Sequence, residues 1–334
     1  MKVIITGGAG FIGGRLAKEL LHQGHLIGLN GEKTPINEIV IFDVALPQIP
    51  MPSDKRLSFV TGDITSAETM KQLIDNKTSS IFHFAGIVSG QAEADLDLGM
   101  RINIDGTRAV LDACRAHNIN PKVVFASSIS VYGDHLPPVV TDDTPTWPSL
   151  SYGTQKLCCE YIIDDYTRRG HIDGRSVRIP TVAIRPGKPN KGVGQWTSSI
   201  FREPLTGREA VCPVSKNTTI VMLSIRRLVD SIIRMHDIAG QQIGPHRALL
   251  LPALSASVAE MVEALRRAGG EKAVKLIRWE PDPFIQKVQD SWPHRISSER
   301  SKKMGIHANH TIDEIIQEFI EDDLENQKKF NASH

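Results

Sequence analysis

The chain has 334 residues, of which 40% are hydrophobic, so it is long enough for about two domains with full cores and is not disordered in composition. Its 39 basic and 38 acidic residues give a net charge of +1, which provides no electrostatic reason to expect nucleic acid or an anionic membrane surface as a partner. No apolar run approaches the length of a membrane span, and the short run Lys2–Thr6 is too short for a signal peptide.

The cysteines indicate a reducing compartment. The four are Cys114, Cys158, Cys159 and Cys212, without C-x-x-C spacing and without histidines at metal-ligand spacing. We therefore interpret them as reduced thiols in a cytoplasmic protein and expect no metal site.

The first predicted elements form a site for a dinucleotide. A buried strand over Val3–Thr6 runs into the glycine-rich turn Gly7–Gly13. A helix follows, with apolar residues at helical spacing at Ile12, Leu16, Leu20 and Leu21. Glycines let the backbone approach a pyrophosphate, and a helix N-terminus supplies free N–H groups and a favourable dipole. The spacing is G-x-x-G-x-x-G rather than the commoner G-x-G-x-x-G, but its place directly after a strand predicts dinucleotide binding.

The second predicted strand, Glu38–Asp43, ends in an acid that favours NAD. A carboxylate at Asp43 can accept hydrogen bonds from both hydroxyls of the adenine ribose and would repel the extra phosphate of NADP. The alternative is a surface aspartate that closes a strand. Asp43 lies 30 residues after Gly13 (43 − 13), against about 20 in the usual pattern, and a loop inserted at Asn30–Asn37 would account for the difference.

The next two strands are predicted at Leu57–Val60 and at Ile81–Gly86. After the first of them, Asp63 either contacts the adenine or caps the following helix. The second ends in small residues, which suit close passage of a cofactor. His83 lies inside its apolar run, so we expect a core histidine rather than a ligand.

A helix is predicted over Asp95–His117, and it contains residues that disfavour helix. Asn103 and Gly106 both have low helix propensity. Asn103 is therefore expected to hold a bend or a water beside the site, unless it is simply a tolerated polar residue.

The fifth predicted strand and the helix after it carry the candidate catalytic residues. Lys122–Ser127 delivers Ser128 to the carboxyl end of the sheet, where open α/β folds place their ligands. Tyr152 and Lys156 are four residues apart, so they share one helix face. A lysine ammonium favours the phenolate of a nearby tyrosine, which can then exchange a proton with an alcohol or a carbonyl. The pair alone is weak evidence, because this spacing usually marks a solvated face.

The remaining elements complete an α/β fold. It consists of a doubly wound parallel sheet (Rossmann-type) with a smaller α+β C-terminal substrate domain. We predict a sixth strand at Ser176–Ile184, loop over 187–217, helices at 226–237, 258–267 and 312–324, and a strand at 247–251. The NAD-binding domain is expected to span 1–186 plus about 218–252. The substrate domain is expected to span about 187–217 plus 253–330.

These stretches together resemble the extended short-chain dehydrogenase/reductase (NAD-dependent epimerase/dehydratase) family, which includes nucleotide-sugar epimerases and dehydratases. The matching motifs are Gly7–Gly13 (GGAGFIG), Asn103-x-x-Gly106-Thr107, Ser127-Ser128 leading into Val131-Tyr132-Gly133, and Tyr152-x-x-x-Lys156. Ser301–Ile306 (SKKMGI) before the final helix is similar to the usual C-terminal close of the family.

The resemblance implies that Tyr152 is the general acid/base, that Lys156 lowers its pKa and holds the nicotinamide ribose, and that Ser128 hydrogen-bonds the reacting oxygen. The residues expected to bind NAD are Gly7, Gly10, Phe11, Ile12, Gly13, Asp43, Asp63, Ile64, Ala85, Gly86, Asn103, Tyr152, Lys156 and Thr181. The resemblance also implies a homodimer through the helices near 95–117 and 151–168. The apolar residues consistent with that interface, unless they are core, are Val110, Ala113, Leu157 and Tyr161.

The second half departs from the pattern of the sugar epimerases, because Thr219–Arg227 (TIVMLSIRR) lacks the acids that they carry there. Arg185–Asn190 (RPGKPN), Phe201–Leu205 (FREPL) and Glu280–Pro283 (EPDP) are similar to the subgroup of D-erythronate dehydrogenases. That similarity implies NAD-dependent oxidation of a four-carbon sugar acid at its C2 hydroxyl.

A carboxylate substrate requires cations or hydrogen-bond donors, and a bidentate arginine gives the best geometry. The candidate substrate-binding residues are Arg185, Lys188, Arg202, Asn190, Ser89 and Ser198, beside Ser128 and Tyr152. Two alternatives stay open: an epimerase or dehydratase of nucleotide sugars with tightly bound NAD, and a non-catalytic dinucleotide-binding sensor. The intact Ser128, Tyr152 and Lys156 disfavour the sensor.

Overall fold

In the computed structural model, which describes residues 1–47, 50–188 and 192–332, the chain forms two compact units. Unit 1 comprises Met1–Val131, Leu150–Arg178 and Val229–Leu249. Unit 2 comprises Tyr132–Ser149, Ile179–Leu228 and the residues from Leu250 onward. Among the described residues, no helix is both long enough and apolar enough to cross a membrane.

The secondary structure alternates between strand and helix through most of unit 1. The strands are β1 (Lys2–Thr6), β2 (His25–Ile27), β3 (Lys33–Pro35), β4 (Glu38–Asp43), β5 (Leu57–Thr61), β6 (Thr78–His83), β7 (Lys122–Ser128), β8 (Val140–Thr141), β9 (Asp173–Ile179), β10 (Thr181–Val182), β11 (Ala210–Cys212), β12 (Thr219–Leu223), β13 (Ala248–Leu250), β14 (Leu254–Ser257), β15 (Ile277–Trp279) and β16 (Ile296–Ser297). The α-helices are α1 (Phe11–Gln23), α2 (Ala67–Leu73), α3 (Ser89–Ala94), α4 (Leu96–Gly99), α5 (Gly106–Ala116), α6 (Ser151–Arg168), α7 (Trp196–Leu205), α8 (Ile225–Asp237), α9 (Gly240–Ile243), α10 (Val258–Val274), α11 (Pro283–Asp290), α12 (Glu299–Lys303), α13 (Ile312–Asp322) and α14 (Leu324–Ala332).

Unit 1 is built on a seven-stranded sheet with the order β13-β9-β7-β6-β1-β4-β5. The pairs β1–β4, β1–β6, β4–β5 and β6–β7 are parallel. The inner strands are apolar along their length because both faces are covered, as in β1, where Val3, Ile4 and Ile5 are fully buried. The predicted α/β fold with a Rossmann-type parallel sheet is confirmed.

The extra residues before β4 form a hairpin rather than a plain loop. β2 and β3 pair antiparallel, with His25 opposite Pro35 and Ile27 opposite Lys33. The predicted insertion at Asn30–Asn37 therefore includes the turn and the second strand of this hairpin, and it leaves the carboxyl end of β4 in the expected place beside the glycine turn.

Unit 2 contains three small sheets, with the orders β10-β12-β14, β11-β15 and β16-β8. This pairing divides the chain differently from the predicted domains. Residues 132–149 fall in unit 2, because β8 within them pairs with β16. Residues 218–228 also fall in unit 2, because β12 pairs with β10 and β14 and stands outside the large sheet.

The prediction of loop throughout 187–217 was wrong. The segment contains α7 and β11, and α7 contributes Trp196, Ile200 and Phe201 to the buried core of unit 2. Helix α7 was missed because it is buried on nearly every side and includes Ser, Thr and a Pro at position 204 instead of a polar and an apolar face.

His83 is a core residue, as predicted. Its ring lies between the hydroxyls of Thr6 and Thr107, with its nitrogens 2.6 and 2.9 Å from the two Oγ1 atoms, and 1% of its surface is exposed. Burial lowers the pKa of His83 to about 3, and burial likewise lowers the pKa of His236 to about 4.

These two histidines predict loss of stability in mild acid. An unfolded histidine titrates near pH 6.5, so below that pH the unfolded chain binds protons that the folded chain does not bind until the pH approaches 4. The contribution of the two neutral histidines to the free energy of unfolding is therefore fully present above pH 6.5. By pH 5, each histidine should lower the free energy of unfolding by about 2 kcal/mol. Urea denaturation at pH 7 and pH 5 measures the loss. His83→Gln should reduce the loss, and the same change at the exposed His310 should not; equal losses in both variants would contradict the assignment.

Candidate active site

The glycine turn between β1 and α1 is closed to side chains. Gly7 has a φ of +67°, and a Cβ on it would lie 2.6 Å from the nitrogen of Ala85. A Cβ on Gly13 would lie 2.6 Å from both the carbonyl oxygen of Gly7 and the Cα of Gly8. Gly10, the N-cap residue of α1, provides no side-chain cap, so the turn offers backbone N–H groups at a helix N-terminus. This cradle fits a dinucleotide pyrophosphate.

Asp43 stands beside that turn at the end of β4. Its Oδ2 accepts a hydrogen bond from the nitrogen of Ala9 at 3.0 Å, and its Oδ1 accepts one from the nitrogen of Val44 at 2.7 Å. The carboxylate is thus fixed at the edge of the phosphate cradle, which is where a ribose would meet it in the predicted mode.

Asp63 does not cap the next helix. Its Oδ1 accepts hydrogen bonds from the nitrogen and hydroxyl of Thr65, and Arg101 lies 3.6 Å away. Ser66 is the N-cap of α2 and accepts from the nitrogen of Thr69. Asp63 is therefore an exposed carboxylate in a turn after β5, whereas its neighbour Ile64 is buried in the core of unit 1.

The backbone after β6 passes directly against two candidate site residues. A Cβ on Gly86 would lie 2.8 Å from Oδ1 of Asn103 and 3.6 Å from Nζ of Lys156. The nitrogen of Ala85 is 3.3 Å from the hydroxyl of Thr6. The end of β6 thus runs against Asn103 and Lys156 with no side chain between them.

Asn103 lies at a break in the helix predicted over 95–117. The segment consists of α4, a π-helical stretch over Met100–Asp105, and α5. The Oδ1 of Asn103 accepts from the nitrogen of Ile87 at 2.9 Å, and its Nδ2 donates to Oε1 of Gln155 at 2.7 Å. The helix is π-helical at Asn103, and the amide of this residue links the loop after β6 to α6.

Tyr152 and Lys156 occupy the first turns of α6, on one face as predicted. Nζ of Lys156 lies 5.6 Å from the ring centroid of Tyr152 and 4.6 Å from that of Phe125. Burial raises the pKa of Tyr152 to about 12 and lowers the pKa of Lys156 to about 8. The expected lowering of the tyrosine pKa is therefore not seen, because burial dominates the shift.

Ser128 ends β7, and a second serine holds it. The hydroxyl of Ser128 donates to Oγ of Ser130 and accepts from the nitrogen of Ser130, both at 3.1 Å. The 3₁₀ turn Ile129–Val131 packs against α6. Ser128 remains partly exposed, and unit 1 thereby holds the serine, the tyrosine and the lysine on adjoining elements.

A buried acid next to this group was missed by the sequence analysis. Glu160 pairs with Arg178 at 2.8 Å and accepts a hydrogen bond from Ser127, and its charge raises the pKa of Lys156 against the larger effect of burial. Glu160 lies one helical turn after Lys156, so the same four-residue spacing that paired Tyr152 with Lys156 would have found it.

The predicted substrate residues fall in both units. Ser89 is buried at the start of α3 in unit 1. In unit 2, the hydroxyl of Ser198 accepts from the nitrogen of Arg185, and Nη1 of Arg185 donates to the carbonyl of Lys188. Thr181 lies in β10, and Asn190 lies outside the described residues.

The guanidinium of Arg202 is fully hydrogen-bonded to neighbouring residues of unit 2. Its side chain is 1% exposed and donates to Glu203, to the carbonyl of Arg185 and to the hydroxyl of Ser199. A guanidinium with all three nitrogens engaged in this way is a structural ion pair, which argues against a role in gripping a carboxylate.

The chain is similar over nearly its whole length to two named enzymes and to a solved structure. Over 322 residues, 96% of this chain, it is 44% identical to a D-erythronate dehydrogenase from Cupriavidus necator, covering 98% of that protein. It is 38% identical to a D-erythronate dehydrogenase from Haemophilus influenzae, with 97% of this chain and 100% of that protein covered. A solved structure described as the nucleoside-diphosphate-sugar epimerase from Agrobacterium tumefaciens has a TM-score of 0.91 at 41% identity, covering 97% of this chain and 95% of that one.

The glycine cradle and the fixed carboxylate of Asp43 fit NAD, which is the cofactor. Residues 3–218 match the model of the NAD-dependent epimerase/dehydratase family. That match spans more than half of the chain and agrees with the two relatives above, so the chain belongs to the NAD-dependent epimerase/dehydratase family.

Proposed function

We propose that the protein is an NAD-dependent dehydrogenase that oxidises the C2 hydroxyl of a small sugar acid, D-erythronate, to 2-dehydro-D-erythronate. The observation that carries the proposal is the 44% and 38% identity, over nearly the whole chain, to two D-erythronate dehydrogenases. The arrangement of Ser128, Tyr152 and Lys156 in unit 1 supports it, because these three side chains supply acid/base chemistry at an alcohol.

In this mechanism Tyr152 takes the proton of the C2 hydroxyl. The phenol must become phenolate to do so, although burial raises its pKa. An ammonium beside a phenol favours the phenolate, and Lys156 has that role in the proposal. The hydroxyl of Ser128 keeps accepting from the nitrogen of Ser130 and turns its single hydrogen from Oγ of Ser130 to the substrate oxygen, where it stabilises the changing charge. When bound, NAD supplies the acceptor for the hydride that leaves C2.

The cofactor assignments follow the same proposal. Gly7, Gly10 and Gly13 admit the pyrophosphate, with Phe11 and Ile12 at the start of α1. Asp43 binds the adenine ribose and excludes the phosphate of NADP, and Lys156 holds the nicotinamide ribose. The other side chains and backbone groups proposed to contact the cofactor are those of Asp63, Ile64, Ala85, Gly86, Asn103 and Thr181.

The second candidate is an epimerase of nucleotide sugars, which the name of the 41% identical structure favours. Such an enzyme would use the same three catalytic side chains, but its NAD would be regenerated in every cycle. It would therefore form no net NADH. A non-catalytic sensor is disfavoured, because the acid/base side chains are present and assembled.

Absorbance at 340 nm tests the proposal. Purified protein with NAD and D-erythronate should form NADH, and NADP should replace NAD poorly because Asp43 would repel its phosphate. A panel of four-carbon sugar acids defines the substrate, with UDP- and dTDP-sugars alongside. Conversion of a nucleotide sugar on chromatography, without NADH from any acid, would replace the proposal with the epimerase.

We further propose a homodimer through the helices near 95–117, which are α4, the π-helical stretch and α5, and through α6. Of the residues considered from the sequence, Val110 and Ala113 belong to the core of unit 1, whereas 64% of the surface of Tyr161 is exposed. Leu96 and Met100 are exposed apolar side chains of the same helical region. An exposed apolar surface on adjacent helices is typical of a subunit interface.

A further inference from the structure

Unit 1 contains a buried ion pair one helical turn after Lys156. Glu160 is 2% exposed, and the guanidinium of Arg178 on β9 engages both of its carboxylate oxygens. Nη2 of Arg178 lies 2.8 Å from Oε2, and its Nε lies 3.1 Å from Oε1. Because breaking such a pair leaves a buried charge without its partner, both side chains are held firmly in place.

Glu160 also connects α6 to the strand that ends in Ser128. The hydroxyl of Ser127 donates to Oε1 of Glu160. Ser127 is itself buried, and it directly precedes Ser128, the last residue of β7. One carboxylate therefore joins β7 and β9 to the helix that carries the proposed acid/base pair.

The ammonium of Lys156 lies in surroundings that disfavour its charge. Its Nζ is 4.6 Å from the ring centroid of Phe125 and 5.6 Å from that of Tyr152, and the residue is buried. Burial lowers the pKa of Lys156 to about 8, and the charges of Cys159 and Glu160 oppose this shift. A lysine that titrates so close to neutral pH changes its charge in response to small changes in the charges around it.

Glu160 supplies negative charge to Lys156 near neutral pH. The titratable groups packed around Lys156 are Tyr152, Cys159 and Glu160 on α6 and His83 on β6. Burial raises the pKa of Tyr152 and of Cys159, so the phenol and the thiol are both neutral there. Burial lowers the pKa of His83 to about 3, so the imidazole is neutral too. The carboxylate of Glu160, four residues after Lys156 on the same helix face, is thus the group that favours the ammonium.

We propose that Glu160 is a positioning residue of the reaction, whose carboxylate keeps Lys156 in its charged form and holds the end of β7 against α6. This inference rests on the function proposed above, in which the ammonium of Lys156 favours the phenolate of Tyr152. Arg178 fixes the carboxylate and also weakens its effect, since a second positive charge disfavours the ammonium. The ion pair therefore sets a balance, and removal of its two partners should change the charge of Lys156 in opposite directions.

Glu160→Gln tests the proposal, because glutamine keeps the size of the side chain and can still accept from Ser127. Lys156 should then titrate about one pH unit lower than in the wild-type protein, as expected for loss of a nearby opposite charge. At pH 8 its protonated fraction would fall from about a half to about a tenth, so kcat for D-erythronate should fall about 5-fold. Carbon-13 NMR of protein labelled at the Cε atoms of lysine measures the pKa of Lys156, with Lys156→Arg to assign the signal, and NADH formation measures kcat.

Arg178→Met is the counterpart of that variant. It should raise the pKa of Lys156, because the carboxylate of Glu160 then acts on the ammonium without the opposing charge. A role in packing alone would not give opposite shifts, since both variants break the same ion pair. If one variant does not fold, the other still tests the sign of the effect. Ser127→Ala keeps the ion pair and removes only the contact with β7, so it should lower kcat without changing the pKa of Lys156.

The matched control is Glu263→Gln, which breaks an exposed ion pair with Arg266 on α10 and should change neither the pKa of Lys156 nor kcat. The NMR titration needs no substrate, so an unchanged pKa of Lys156 in the folded Glu160 and Arg178 variants would overturn this inference alone. Opposite shifts of that pKa, together with no NADH from any sugar acid, would support the charge balance and overturn the proposed function.

Discussion

Replacing Tyr152 with phenylalanine is expected to lower kcat for D-erythronate about 10²- to 10⁴-fold, the usual contribution of a positioned general acid/base. The change removes only the hydroxyl, so the ring stays 5.6 Å from Nζ of Lys156 and the packing of α6 is kept. The affinity for NAD should therefore change little. Steady-state NADH formation and titration of NAD binding measure the two effects separately.

The matched control for that variant is Tyr161→Phe. Tyr161 lies on the same helix and is 64% exposed, so loss of its hydroxyl should leave turnover unchanged. Undiminished turnover in Tyr152→Phe would remove Tyr152 from the mechanism under both the dehydrogenase and the epimerase assignments.

Gly13→Ala is expected to abolish measurable NAD binding and to lower the free energy of unfolding by about 2–3 kcal/mol. Its Cβ would lie 2.6 Å from the carbonyl oxygen of Gly7 and the Cα of Gly8, which are backbone atoms of the cradle and cannot rotate away. Relief of the clash requires the turn to open, and an open turn no longer presents its N–H groups to the pyrophosphate.

The adjacent residue gives the control. A Cβ on Gly14 would meet nothing closer than 3.8 Å, and alanine is the better helix former by about 1 kcal/mol, so Gly14→Ala should bind NAD normally and be slightly more stable. Titration of NAD and urea denaturation on both variants measure the contrast. Equal behaviour of the two variants would mean that the cradle tolerates a side chain at Gly13.

The parts of the protein that the sequence predicted best are those in which a local pattern decides the structure. β4 occupies Glu38–Asp43 as predicted. A continuous apolar run is typical of a strand buried on both faces of a parallel sheet, and the acid marks its end. The irregular helix at Asn103 agrees with the poor helix propensity of that residue. The placement of Tyr152 and Lys156 followed from helical spacing alone.

The errors arose where distant contacts decide the structure. β12 reads like any other strand of the large sheet, and only its pairing with β10 and β14 places it in unit 2. Arg202 has the charge of a carboxylate ligand, but its partners are the neighbouring Glu203 and a backbone carbonyl 17 residues away in the chain.

The division of each unit into three separate chain segments has a consequence for how the protein is made. The last strand of the unit 1 sheet to be synthesised is β13, at residues 248–250. In unit 2, β8 cannot pair until its partner β16, at residues 296–297, has been synthesised. A nascent chain therefore exposes unpaired strand edges until most of it has left the ribosome, and slow closure of such distant pairs favours aggregation. A truncation after residue 186 would lack β13 and all of α8, so the dinucleotide-binding unit is not a module that can be cut out of the gene in one piece.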